Sequence, residues 1–364
     1  MYKLPEIVSQ FQIDGTYLAG APYGSGHIND TFKIDTAEAN QFDYILQRVN
    51  HHVFKDVPGL MENVERVTSH IRQKMNAIAG SNPDREVLTV IPTKEGAAYH
   101  KDGDGNFWRM YIFIWDNVSY DQVDSPEKAF EGGRMFGKFQ SMLADLPGKP
   151  LNETIPNFHN IAWRLDTFED TLKRDPAGRA SKVKDEIDFV MKRADEMKTI
   201  LRLGESGQIP LRITHNDTKF NNVLLNQEDK GLCVIDLDTV MPGYVHYDFG
   251  DSIRTSTNTG AEDDPDLDKV EMDINLFEGY AKGFLQETKT TLNTTEIDHL
   301  AFSGKLFPYI IGLRFLTDYV DGDNYFKTHH EHHNLQRARA QFKLLTSMER
   351  QYDKMKEIVW KHAQ

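Results

Sequence analysis

The polar stretch His215-Asn-Asp-Thr-Lys-Phe-Asn-Asn222 is set between two strand-like runs, residues 211–214 and 223–225. Short apolar runs bounded by polar residues read as buried strands, so the stretch is a loop pinned at both ends in a sheet. A loop held this way keeps Asp217 and Asn222 at a fixed separation. A further apolar run, 232–236, ends in Asp236, nineteen residues beyond Asp217. This is the set that phosphoryl transfer needs: one carboxylate to orient an attacking hydroxyl, then an amide and a second carboxylate to hold Mg2+ against phosphates. Alone, Asp217 would read as a turn residue capping backbone amides. Its company of strands, Asn222 and Asp236 favours the catalytic role.

The segments before this centre differ in texture from those around it. Residues 31–34 and 44–49 are strand-like. Residues 58–75 place Leu60, Val64, Val67 and Ile71 on one helical face, and residues 87–92 and 107–114 predict two more strands. Beyond Trp115-Asp-Asn117 the pattern turns helical. Ser125-Pro126 opens a helix that carries Met135, Phe139, Met142 and Leu146 inward. The expectation is an α+β chain in two lobes, with residues 1–117 a small antiparallel-sheet lobe and residues 118–364 mostly helical. Residues 255–268, rich in Thr, Gly and Asp, read as a solvated loop.

A chain of 364 residues suits two units better than one core. The net charge of −14 disfavours a nucleic-acid surface, although an acidic protein can still aim a few cations at one phosphate. Cys233 is the lone cysteine, which excludes an internal disulfide or a cysteine-built zinc cage. No run approaches the roughly 18 apolar residues of a membrane span. The start, 1–11, lacks the pattern of a secretory signal, so a cytoplasmic protein is expected.

His215, Asp217 and Asn222 match the H-x-D-x-x-x-x-N loop of the aminoglycoside, choline, homoserine and fructosamine kinases, and Ile235-Asp236 matches their metal-binding strand. The chain therefore resembles the aminoglycoside phosphotransferase family, along nearly its whole length. The nearest resemblance is to the N-acetylhexosamine 1-kinases. It is carried by Gly26-His-Ile-Asn29, His215 to Lys219, Val234-Ile-Asp-Leu-Asp-Thr-Val-Met-Pro-Gly243 and Tyr247-Asp-Phe-Gly-Asp-Ser-Ile-Arg254. The resemblance implies a two-lobed protein-kinase-like fold, ATP as co-substrate, Mg2+ as cofactor and a small sugar acceptor. Other hydroxyl acceptors, or a silent kinase-shaped binding protein, are the alternatives.

Site residues follow from this frame. Gly24, Ser25 and Gly26 precede a strand rather than a helix, which suits a hairpin phosphate cover. Where the family carries a lysine, this sequence offers Arg48, with Glu65 as the expected helix partner. Phe113 and Trp115 fall in the segment expected to meet adenine, although Trp115 serves equally as interlobe packing. Asp248-Phe-Gly250 spells the protein-kinase metal motif but lies 31 residues beyond Asp217, against about twenty in protein kinases. The metal role therefore goes to Asp236, and Asp248 is expected to brace the loop or start a helix. Expected sugar contacts are His27, Asp251, Arg314 and Tyr325. For Arg314 an ion pair with Asp318, one turn on, is the alternative. The run His329-His-Glu-His-His333 lacks zinc-ligand spacing and reads as a loop before a final helix, 334–361.

Overall fold

The computed structural model describes residues 2–24, 26 and 28–364. Ser25 and His27 lie outside the described residues. The N-terminal lobe holds β1 (Tyr17–Pro22), β2 (Asp30–Thr36), β3 (Tyr44–Val49), β4 (Val90–Ile91), β5 (His100–Lys101) and β6 (Phe107–Ile112). These form one antiparallel sheet in the order β1-β2-β3-β6-β4, with β5 also on β6. Three helices accompany it: α1 (Leu4–Val8), α2 (Val57–Asn76) and α3 (Pro83–Glu86). Asp56 caps α2 by accepting from the Gly59 N–H, with Pro58 in the first turn, as the pattern over 58–75 predicts. The run 87–92 gives only β4 as strand, because Pro83 starts a helical turn there and Val87 and Leu88 enter the core instead.

The C-terminal lobe is helical around two short hairpin-like pairs. Its helices are α4 (Pro126–Leu143), α5 (Ile161–Arg174), α6 (Lys184–Met197), α7 (Thr199–Glu205), α8 (Val245–Ser256), α9 (Ile274–Thr288), α10 (Thr294–Asp321) and α11 (His333–Ala363). Strand β7 (Arg212–Thr214) pairs with β10 (Met241–Gly243), and β8 (Val223–Leu225) pairs with β9 (Gly231–Val234). Thus the polar loop does run between two strands, though they belong to different pairs. The solvated stretch begins later than expected, since α8 continues through Ser256. Among the described residues no helix is long and apolar enough to cross a membrane.

The pleat of the first sheet decides what faces the other lobe. Tyr44, Leu46 and Arg48 lie opposite Ile112, Met110 and Trp108, and those buried apolar residues pack outward with Ile7, Val8 and Phe11. Ile45, Gln47 and Val49 lie opposite Tyr111, Arg109 and Phe107, on the face covered by α2. On that inner side a single apolar cluster runs from Leu60 and Val64 of α2 through Phe136 and Phe139 of α4 to Phe284 and Met348, so the lobes share a core. A second cluster, around Phe168, Phe307 and Leu316, unites α5, α6 and α10.

Helix α8 lies tight on α10. A Cβ at Gly250 would stand 2.4 Å from the Ser303 carbonyl oxygen and 2.6 Å from the Phe307 ring. Gly250→Ala should therefore push the helices apart and cost about 1–3 kcal/mol. Urea denaturation measures this; a loss below about 0.5 kcal/mol would show that the contact yields freely.

Candidate active site

The loop from His215 to Thr218 cannot join a strand ladder, so its buried N–H groups need other acceptors. Helix α8 provides them. Asp248 Oδ2 accepts from the His215 N–H at 2.9 Å and from Gln140 Nε2 at 2.6 Å, and its Oδ1 accepts from the Asn216 N–H at 2.7 Å. Three residues on, hence on the same helix face, Asp251 Oδ2 accepts from the Thr218 N–H at 3.0 Å. Ser252 Oγ donates to the Thr218 carbonyl at 2.9 Å. Asp248 is therefore the loop's brace. Asn216 sits at φ 64°, a left-handed conformation that Asn tolerates, and this turns Asp217 outward. His215 donates from Nε2 to the Ile235 carbonyl at 2.9 Å and accepts the Asp217 N–H at Nδ1. The ring is packed edge-on against Phe136 and Phe139.

Asp217, Lys219, Asn222 and Asp236 meet in the cleft. Lys219 Nζ lies 3.2 Å from Asp217 Oδ2. Asn222 Nδ2 donates to the Asp217 carbonyl at 2.8 Å, and among the described residues no donor reaches its Oδ1. No donor among them reaches the Asp236 carboxylate either. Asp236 is open to the cleft yet ringed by protein. That desolvation raises its carboxyl above the usual range, and the charges of Asp238 and Asp217 add to the effect. A free carboxylate beside a free amide oxygen, in a region of excess negative charge, fits a hard cation of the Mg2+ kind, which takes one or two protein carboxylates and completes its shell with phosphate and water. Asp236 is itself held at φ 60° and ψ 59°.

On the roof, Gly24 has φ +78°, and a Cβ there or at Gly26 would meet nothing within 4 Å. The space beside the loop is open to a ligand, and Gly24 suits its left-handed turn. Arg48 faces away from this space. It pairs with Asp30 at 2.7 Å and lies over the Tyr2 ring, on the outer side of the sheet. The expected Arg48–Glu65 pair is therefore absent, because one residue of pleat separates Arg48 from the cleft. Glu65 is exposed on α2 and meets no cation among the described residues; partial burial of its carboxyl raises its pKa. The inner face carries two cations among the described residues: Lys33 of β2, opposite Ile45, and the buried Arg109 of β6, which donates to Gln47 and to Asp238 Oδ1. Phe113 stands edge-on to Tyr23 with the Lys33 ammonium over its ring, at the cleft mouth. Trp115 is 41% exposed and lies against Phe42 and Arg85, so it fills no interlobe space.

The expected acceptor contacts divide. Asp251 is 3% exposed, and beyond the Thr218 N–H it takes Arg254 Nε and Nη2 on Oδ1. Its oxygens are occupied inside the protein, which corrects its assignment from sugar contact to loop support. Arg314 is half-buried and forms no ion pair among the described residues. Asp318 spends both oxygens on the Asn324, Tyr325 and Phe326 N–H groups and on Asn334. The turn so fixed sets Tyr325 and Phe326, with Phe158, around the Arg314 guanidinium. Arg164 stands nearby. Its Nη2 donates to the Phe158 carbonyl at 2.9 Å, while its Nε is buried and meets no partner among the described residues. Burial and then the Arg314 charge pull its pKa down. His159 links this pocket to the loop by donating from Nε2 to the Asn216 carbonyl at 2.9 Å, and burial holds it neutral. Sequence reasoning missed Arg109, Arg164 and Lys219. A lone arginine inside the apolar run Phe107–Ile112 was the available signal for the first.

Residues 20–283 match the phosphotransferase enzyme family. In fold the chain is similar to an aminoglycoside phosphotransferase from Alicyclobacillus acidocaldarius, at 13% identity and a TM-score of 0.61 over 96% of each chain. It is also similar to a choline/ethanolamine kinase family protein from Mesorhizobium loti, at 13% identity and 0.56 over 94% of this chain and 92% of that one. An amicoumacin kinase solved with AMP-PNP and Ca2+ matches at 12% identity and 0.58, over 93% of this chain and 92% of the other. At such identities the likeness carries the two-lobed kinase-like fold.

Asp248→Ala should strip the acceptor from three buried donors at about 1–3 kcal/mol each, a loss on the order of 3 kcal/mol or more. The Mg2+ concentration for half-maximal activity should stay near that of the wild type in whatever folds. Denaturation and a Mg2+ titration on the same sample check both. A stable protein with a shifted Mg2+ response would instead make Asp248 a metal ligand.

Proposed function

This chain belongs to the phosphotransferase enzyme family, and we propose that it transfers the γ-phosphoryl group of ATP to the anomeric hydroxyl of an N-acetylhexosamine, giving the 1-phosphate. Asp217 accepts the hydroxyl proton as the sugar oxygen bonds to the γ-phosphorus, and the β–γ bridging oxygen leaves with ADP. Lys219, 3.2 Å from Asp217, is the cation offered to the transferring group. Asn222 Oδ1 and the Asp236 carboxylate are the groups that would hold Mg2+, which supplies neutralising charge to the phosphates. The loop at Gly24 and Gly26, tied to Asp238 through Asn29, is the cover offered to them. Phe113, with Tyr23, is the wall offered to adenine.

The observation that supports the acceptor class is the pair of guanidiniums, Arg314 and Arg164, that meet no carboxylate among the described residues and stand beside the loop that bears Asp217. Two such groups repel a cationic acceptor. A single like charge at about 5 Å costs about 3 kcal/mol at an effective dielectric of about 20. Choline, ethanolamine and aminoglycosides are thus disfavoured for this pocket. Ring hydroxyls and an acetamido carbonyl are neutral acceptors that Arg314 can donate to, and Tyr325, 65% exposed, offers a ring face and a hydroxyl at the pocket's edge. The resemblance of residues 234–243 and 247–254 to the hexosamine kinases selects the sugar among neutral acceptors. The same arginines favour one second reading, a hydroxyl acceptor that carries a carboxylate, with the zwitterion homoserine as the case whose ammonium would have to point away from them.

A coupled ADP assay over neutral, anionic and cationic acceptors, with 31P NMR of the product, separates these readings. N-acetylhexosamine turnover with phosphate at C1 is expected; turnover confined to choline or an aminoglycoside would contradict the pocket's charge logic. Arg314→Met should raise the acceptor KM about tenfold or more and leave the ATP KM within about threefold, at little change in Tm. Equal shifts in both KM values with a large drop in Tm would place Arg314 in the scaffold.

A further inference from the structure

Gln47 and Arg109 lie opposite each other on β3 and β6, on the inner face of the sheet. A kinase of this fold would carry its phosphate-binding lysine on β3 of that face, and here the β3 residue is neutral. The charge comes from the next strand. Arg109 is 1% exposed; its Nε and Nη2 donate to Gln47 Oε1 at 3.0 and 2.8 Å, and its Nη1 donates to Asp238 Oδ1. Every nitrogen of the guanidinium is thereby engaged inside the protein.

Asp238 closes a chain of contacts between the lobes. It is 2% exposed, and its second oxygen accepts from Asn29 Nδ2 at 2.7 Å. Asn29 Oδ1 in turn accepts the Asn50 N–H at 2.9 Å. Asn29 ends the glycine loop at the point where β2 begins, and Asp238 sits in the helical turn Leu237–Thr239 immediately after Asp236. One ion pair and two hydrogen bonds thus tie the phosphate loop, the sheet and the residue next but one to the candidate metal ligand.

Two observations separate this from ordinary packing. Burying both ions costs several kcal/mol each before their attraction returns it, and an apolar pair of similar size would join the lobes at least as well. Asp236 also sits at φ 60°, where a non-glycine residue costs about 1–3 kcal/mol and persists only when its neighbours over-determine it. Asp238, anchored through Arg109 and Asn29, is the neighbour placed to do that.

We propose that Arg109 is a positioning residue for the metal-binding aspartate. By holding Asp238 with Asn29, it fixes the Leu237–Thr239 turn against the sheet and sets the Asp236 carboxylate facing the phosphates under the glycine loop. Where a kinase of this fold would carry a phosphate-binding lysine on β3, this chain joins its two lobes through an arginine on β6 whose nitrogens are all engaged inside the protein. The inference rests on the nucleotide reading of the cleft and is independent of the acceptor.

The test uses the full chain, titrating Mg2+ in the presence of AMP-PNP by calorimetry, beside Tm and steady-state kinetics. Arg109→Met should weaken Mg2+-dependent AMP-PNP binding about tenfold or more, in the range seen for residues that support metal ligands, with the acceptor KM changed less than about threefold. Arg109→Lys, which keeps the charge but not the fork, should recover part of the response. If Arg109→Met leaves Asp238 charged and the protein unfolded, Arg109→Met/Asp238→Asn removes the buried charge. That double variant should regain Tm yet keep the weakened Mg2+ response. Recovery of both together, or a wild-type Mg2+ response in any folded Arg109→Met preparation, would reduce the pair to scaffold. A wild-type protein that binds no AMP-PNP with Mg2+ would overturn the nucleotide reading itself.

Discussion

The N–H groups of His215, Asn216 and Thr218 point into the protein where no strand meets them, and two carboxylates on one face of a helix accept all three. An unmet buried amide costs as much as a lost hydrogen bond, so the loop adopts this course only while Asp248 and Asp251 stand behind it. Their helix is in turn located by close packing of Gly250 on Ser303. The outward aim of Asp217, the free oxygen of Asn222 and the position of Lys219 follow from that support. The aspartates that resemble a metal motif and a substrate contact are the frame on which the chemistry is mounted.

The cleft has a consistent division of charge. Asp217 and Asp236 concentrate negative charge at the floor, which suits a divalent cation with phosphates. Arg314 and Arg164 concentrate positive charge in the proposed acceptor pocket, which suits hydroxyl, amide or carboxylate oxygens. Asp238 stands beside the negative side, paired with the buried Arg109. The two lobes meet through a shared apolar cluster and through this ion pair, so their relation at the roof of the site is built into the fold.

What could be read in advance depended on how local the determinant was. The strand-flanked loop is set by contiguous residues, and spacing together with the apolar strand that ends in Asp236 was enough to expect a bracing role for Asp248. The helix at 57–76 announced itself by period and by Pro58. Arg48 did not yield to the same reasoning. Residues 44–49 are apolar on both faces, so the run carries no parity, and only pairing with β6 shows that Gln47 faces inward. Asp251 has a local partner in Arg254, but its hold on the Thr218 N–H spans 33 residues, and the setting of Arg314 depends on the distant Phe158, so no local pattern records either role. Strands β1 and β10, Tyr-Leu-Ala-Gly-Ala-Pro and Met-Pro-Gly, are poor in β-formers and exist because a neighbouring strand pairs with them.

The account stands on Asp217 as the group that takes the acceptor's proton. Its most direct test is the turnover of Asp217→Asn measured together with AMP-PNP affinity in the presence of Mg2+. Asparagine keeps the shape and removes the basic oxygen, so turnover should fall by about 10²-fold or more while nucleotide affinity stays within a few-fold. Turnover close to that of the wild type would contradict the account and move the chemistry to another residue of the cleft.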